Sequence, residues 1–120
     1  MLDLRADYID SRDIIERLDE LESLDADGEL PDENVDELDM LRAINREGAN
    51  MFPDWQYGET LIRGGYTFVE YAQEMAYDIG AYNGAETWPL YCIDWERAAR
   101  DLQMDYAPID IDDVEYWGQA

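Results

Sequence analysis

Lysine and histidine are both missing from this 120-residue chain, and Cys92 is its single cysteine. Each absence removes chemistry. Without histidine there is no Ser–His or Cys–His pair and no imidazole metal ligand; without lysine there is no Schiff-base amine. One cysteine allows no intrachain disulfide, which suits a reducing cytoplasm. With no Lys or His to lower its pKa, Cys92 is expected to pack as a small buried hydrophobe. No apolar run approaches the roughly 18 residues of a membrane span. The opening MLDLRADYID lacks the basic and apolar regions of a signal peptide. A cytoplasmic protein with no membrane partner is the expectation.

Positive charge is scarce as well. Eight arginines face 31 aspartates and glutamates, for a net charge of −23. Such a surplus destabilises the compact state by self-repulsion, so it calls for a reason. Its field repels nucleic acid and anionic lipid and attracts basic partners. Direct phosphate binding, which needs clustered Lys and Arg, is not expected. Hydrophobic residues are 47 % of the chain, enough for a core rather than a disordered acidic tail. The length fits one domain over residues 1–120.

Catalysis is left with carboxylate pairs, as in glycoside hydrolysis. Among 31 carboxylates some pair is inevitable, so a pair carries no information. There is no glycine-rich phosphate loop. Residues 23–34 have Gly28 at the sixth place of a calcium-type loop. Ser23 and Asn34, however, stand where such a loop needs an Asp and a bidentate Glu, and Pro31 is awkward at the ninth place. The segment reads as a linker. No metal, no cofactor and no enzymatic activity are expected; binding is.

Apolar spacing organises what remains. Residues 11–24 read as a helix with Ile14, Ile15, Leu18 and Leu21 on one side, capped by Asp10 or Ser11. A second helix is predicted over 33–47, with Asp32 as cap, Val35, Leu38, Leu41 and Ile44 inward, and Gly48 as its stop. The two pair as an antiparallel hairpin. A short strand at 59–62 follows an irregular aromatic stretch. A third helix runs over 66–79, with Phe68, Val69, Ala72, Met75, Ala76 and Ile79 inward. A loop containing Gly84 leads to an extended stretch at 88–93, and a fourth helix over 95–104 is capped by Asp94. The tail alternates, and Asp112-Asp113 between its halves is read either as a two-residue hairpin turn, though without the Gly that favours one, or as a kink in a single strand. Trp55, Trp88, Trp95 and Trp117 are assigned to the core or its edge, and Tyr71 and Tyr77 flank an acidic stripe. The fold class is α+β: an acidic helical hairpin over residues 1–50, then two further helices and a small antiparallel C-terminal sheet over 51–120.

The charge is not one block. Residues 1–50 hold 17 acids and five arginines, and residues 51–120 hold 14 and three. On the third helix Glu70, Glu74 and Asp78 recur at i, i+4, i+8, three like charges in a row with no cation within a turn. The second helix repeats this with Asp32/Asp36 and Glu33/Glu37. In the first, Asp13, Glu16, Asp19 and Glu20 line the outer side, Asp13 within reach of Arg17. Counting on from Asp10, acids recur about every 3 to 4 Å of rise, close to the roughly 3.4 Å of phosphates along one DNA strand. The fourth helix differs: Glu96/Arg100 and Arg97/Asp101 are opposite-sign pairs. Composition alone divides evenly between a charge-based binding role and adaptation to a salt-rich cytoplasm, since Asp outnumbers Glu and lysine is absent.

Two segments, FVEYAQEMAYDIG (68–80) and WPLYCIDWERAARDLQMDY (88–106), together with the opening YIDSRDIIERLDELE (8–22), resemble the ArdA antirestriction proteins and their small phage and plasmid relatives. The likeness covers half to two-thirds of the chain, which is shorter than full-length ArdA and carries its own acidic hairpin. It implies a DNA mimic: an elongated acidic protein whose carboxylates stand where phosphates would lie. Such a protein occupies the basic DNA-binding groove of a restriction–modification enzyme, or of another defence enzyme such as a CRISPR effector, in the host cytoplasm. A homodimer is possible on the same grounds. The mimic surface expected here comprises Asp13, Glu16, Asp19, Glu20, Asp32, Glu33, Asp36, Glu37, Glu70, Glu74 and Asp78.

Overall fold

A computed structural model describes residues 2–83 and 87–119. The fold is α+β, and its centre is a four-stranded antiparallel sheet of order β1-β2-β4-β3. The strands are β1 (Tyr8–Asp10), β2 (Thr60–Arg63), β3 (Ala107–Ile111) and β4 (Val114–Gly118). Strand β2 lies one residue later than the short strand expected at 59–62. Strand β1 was not foreseen: three residues are too few for a visible alternation, and Asp10 also serves as the N-cap of the next helix, accepting the Arg12 N–H.

Because side chains alternate across a strand, neighbouring residues serve opposite faces of this sheet. Ile9, Leu61, Ile109, Ile111 and Tyr116 point to one face. There they meet α1 (Ser11–Ala26) and α2 (Val35–Met51) through Ile14, Leu18, Leu21, Leu38, Leu41 and Ile44. Ile62 points the other way, with Trp117 half-buried beside it, toward α4 (Tyr66–Asp78) and α5 (Trp95–Leu102). Phe68 is the hub of that second core, its ring 5.4 Å from both Tyr71 and Tyr106 and 6.1 Å from Trp117. Two apolar cores thus share one thin sheet.

Several expectations are corrected by local packing. Gly48 does not stop the second helix, which continues to Met51. A Cβ at position 48 would lie 2.5 Å from the indole of Trp55, so the glycine is there to let the helix pass over that ring. Trp55, in the one-turn α3 (Trp55–Gly58), is fully buried and donates Nε1–H to Asn45 at 2.8 Å. Asp32 caps nothing; it opens a 3-10 turn, Asp32–Asn34, in front of α2. Residues 88–93 are not extended: backbone bonds from Leu90 to Thr87, Cys92 to Pro89 and Ile93 to Leu90 wind them into a 3-10 turn, because no strand lies alongside to pair with them. As a result Cys92 is exposed rather than buried, and Trp88 is 74 % exposed rather than in the core. Ile79, assigned to the inner side of α4, is 73 % exposed beyond the last turn. The loop expected at Gly84 lies outside the described residues.

The molecule is long: its principal extents are 63 × 25 × 19 Å and its radius of gyration is 17.6 Å. A compact chain of this length would have a radius of about 13–14 Å.

The β3–β4 turn is made by Asp112 and Asp113, both with positive φ (50° and 66°), the mirror-image turn that suits a twisted hairpin. Asp tolerates this conformation less well than Gly. Asp113→Gly should therefore raise stability by about 0.5–1 kcal/mol, read as a higher urea midpoint with an unchanged slope.

Candidate partner-binding surface

Eight arginines are distributed very unevenly over the carboxylates. Arg17 reaches from α1 across to α2 and grips Glu37 with two bonds of 3.0 Å, while its third nitrogen lies 3.4 Å from Glu20. Asn34 adds a bond to Glu37 at 2.9 Å. The guanidinium holds the Glu37 carboxyl below its ordinary range, the main cause being the Arg17 hydrogen bonds. Arg42, one helical layer further along, spans Glu22, Asp25 and Asp39 at 3.2–4.0 Å. Arg12 folds back onto Asp10 at 2.6 Å, and Arg5 faces Asp112 at 3.7 Å. Arg17 and Arg42 thus staple α1 to α2.

Two expected arrangements are absent. Asp13 does not take Arg17, which is committed to the other helix. On α5, neither Glu96/Arg100 nor Arg97/Asp101 closes into an ion pair within 4 Å among the described residues. Charge balance lies inside the hairpin, not on the fourth helix.

The eleven acids proposed from the sequence fall into three groups. Glu20 and Glu37 are engaged by Arg17, and Glu37 is half-buried. Asp13, Glu16 and Asp19 on α1, with Asp32, Glu33 and Asp36 at the start of α2, are exposed and have no cation within 4 Å among the described residues. The α2 group is favoured by its place at the positive end of the helix. Glu70, Glu74 and Asp78 are likewise exposed on α4, with no cation within 4 Å among the described residues, and Glu70 accepts a hydrogen bond from the Tyr66 hydroxyl. The α1/α2 groups and the α4 row lie on opposite sides of the sheet, so they form two acidic sides of one rod rather than a single patch.

The α4 side extends further than its helix. Thr67 bonds Asp7 at 3.1 Å, and Tyr8 projects from β1 toward the row. The Tyr8 hydroxyl is pushed above its ordinary pKa, first by burial and then by Glu74, Glu70 and Asp7. Asp7 and Tyr8 were missed in the sequence because only the pairing Tyr8↔Ile62 brings the N-terminal strand beside α4.

Glu59 was missed too, although its alternation with Leu61 marks it as inward-facing. It is the buried carboxylate of the molecule among the described residues, 6 % exposed. Ser11, also fully buried, fixes the chain around it: its Oγ donates to the Trp55 carbonyl at 2.7 Å and accepts the Glu59 N–H at 2.7 Å. Glu59 Oε1 accepts the Gln119 N–H at 2.6 Å. Gly118 leaves room for that approach, since a Cβ there would lie 3.1 Å from Oε1 and 2.8 Å from the Phe52 ring. Burial pushes the Glu59 carboxyl above its ordinary range; the Gln119 bond draws it back and Asp54 raises it again. Among the described residues, no group of three or more His, Cys, Asp or Glu side chains is arranged to hold a metal ion.

No protein-family model matches the chain, and no curated protein or solved structure matches it. No helix among the described residues is long and apolar enough to cross a membrane.

Two substitutions probe these opposite electrostatic regimes. Arg17→Gln should lower stability by about 1 kcal/mol, with the larger loss at low salt, measured by urea unfolding. Glu59→Gln keeps an acceptor for the Gln119 N–H and removes a buried charge. A carboxyl raised in the folded state binds extra protons there, so stability falls as pH rises from the ordinary carboxylate range, about pH 4, through the raised value. Glu59→Gln should therefore melt above wild type at pH 7, with the gap closing below about pH 4.

Proposed function

We propose that this protein is a DNA mimic that inhibits a DNA-binding enzyme of host defence, a restriction–modification enzyme or a CRISPR effector, by competing with DNA for its basic groove. The observation that carries this reading is a ratio. A net charge of −23 is spread along 63 Å, one net negative charge per 2.7 Å. That density falls between the roughly 3.4 Å per charge of one DNA strand and the roughly 1.7 Å of the duplex. The cross-section of 25 × 19 Å is comparable to a duplex width, so the rod fits a channel built for DNA.

The distribution supports the same reading. Acidic sides lie on both outer layers, which a groove that surrounds DNA contacts together. Arg17 and Arg42 are spent between the hairpin helices, and among the described residues no arginine lies within 4 Å of Glu70, Glu74 or Asp78. Binding then proceeds without catalysis: carboxylates pair with the Lys and Arg that otherwise hold phosphates, and the enzyme's field steers the encounter. The resemblance of residues 8–22, 68–80 and 88–106 to ArdA proteins points to the same class of target.

The decisive measurement is displacement of labelled duplex DNA from a type I restriction complex and from CRISPR effectors. The purified protein should displace DNA at about 50 mM salt and lose at least about 10³-fold in affinity by 200 mM. The triple variant Glu70→Gln/Glu74→Gln/Asp78→Asn should bind roughly tenfold or more weakly while melting no lower than wild type. Failure to displace DNA from any of these complexes at low salt would rule the reading out.

A further inference from the structure

Beside the outer acidic rows there is a cleft of a different kind. It measures about 330 Å³ and lies between α3, the start of β2, α4 and the end of β4, lined by Glu59, Asp54, Thr60, Tyr71, Tyr106 and Gln119 and floored by Ile62. No arginine lines it. Glu59, 94 % buried, spends Oε1 on the Gln119 N–H. Among the described residues its Oε2 has no hydrogen bond, yet no fully buried side-chain oxygen or nitrogen there lacks a partner. Oε2 is therefore open to solvent, and the cleft is where it opens.

We propose that this cleft is a receptor for a single guanidinium group on an aliphatic stem. The donor and acceptor inventory selects this chemistry. The Tyr71 and Tyr106 hydroxyls lie 2.5 Å apart, and Gln119 Nε2 donates to Tyr106 at 3.3 Å. One phenolic proton is used between the two rings, and the Tyr71 oxygen keeps a lone pair to accept from a ligand. The cleft thus presents a buried carboxylate oxygen, a phenolic oxygen and, from Asp54 at its mouth, a second carboxylate. These are acceptors on several sides of one space, which the five-donor planar fork of a guanidinium satisfies better than a compact ammonium does. Ile62 gives apolar contact to a methylene stem. A hard divalent ion is not served, because it needs six or more oxygens around one point. A carboxylate whose burial destabilises the fold while half its acceptor capacity stays unused is what a binding site retains and a purely structural contact does not.

The inference does not rest on the DNA-mimic reading, since it concerns one enclosed carboxylate rather than the outer rows. A guanidinium comes either as a free small molecule or as an arginine side chain of a protein. Both are tested by titrating the ¹⁵N-labelled protein in 150 mM NaCl, one arm with ethylguanidinium and the other with the capped peptide Gly-Arg-Gly. Saturable shifts confined to the Thr60 and Gln119 amides and their neighbours are expected in at least one arm. A response to ethylguanidinium alone assigns a small-molecule ligand, and a response to the peptide assigns a protein arginine. Glu59→Gln should weaken binding at least tenfold with the rest of the amide spectrum unchanged. Asp54→Asn, on an exposed residue, should weaken it a few-fold and guards against misfolding of the first variant. Shifts spread over α1, α2 and α4, undiminished binding in both variants, or silence in both arms would overturn the proposal.

Discussion

Eight cations have to serve 31 carboxylates, and the architecture depends on where those cations are spent. Arg17 and Arg42 cross between α1 and α2, each touching acids of both helices. Without them, two acidic helices side by side would repel along their whole length. With them, the repulsion is cancelled where the helices meet and left standing on their outer sides. Apolar burial of Ile14, Leu18, Leu21, Leu38 and Leu41 closes the same seam. The hairpin is therefore cross-linked at its seam and left negative on its outer sides.

The sheet imposes the second constraint. With Leu61 and Ile62 serving opposite cores, the middle of β2 faces a core on either side, and a one-residue slip would exchange both at once. Tyr116 adds a tether: fully buried, it donates its hydroxyl to the Ala6 carbonyl at 2.5 Å and holds the N-terminal segment against the sheet. Around this frame the helices carry the charge outward, and the frame leaves one carboxylate, Glu59, inside. The outer acids contribute together to one extended negative field, whereas Glu59 stands alone in a buried setting.

Much of this was legible in the sequence. Periodic apolar residues located the four longer helices, and the alternation around Asp112-Asp113 located the β3–β4 hairpin, because these signals are local. What escaped was set by distant partners. The pairing of Tyr8 with Ile62 made a strand of three residues that have no pattern of their own. The Trp55 ring turned Gly48 from a helix stop into a close-approach site. Residues 88–93 looked like a strand by apolar content, but a strand exists only with a neighbour. Charge was legible in amount and spacing, not in pairing: Arg17 had an acid four residues away and chose Glu37 across the hairpin, where Asn34 offered a second bond. Glu59 was visible only as one of 31, until its burial separated it from the rest.

Two cores that meet only through a single layer of backbone have an evolutionary consequence. Side chains of the hairpin core do not touch those of the α4–α5 core, so each can drift without straining the other. Insertions that lengthen the hairpin by a turn, or exchanges of residues on α4, remain compatible with an unaltered sheet. Substitutions can thus accumulate on one flank of the molecule while the other is inherited intact.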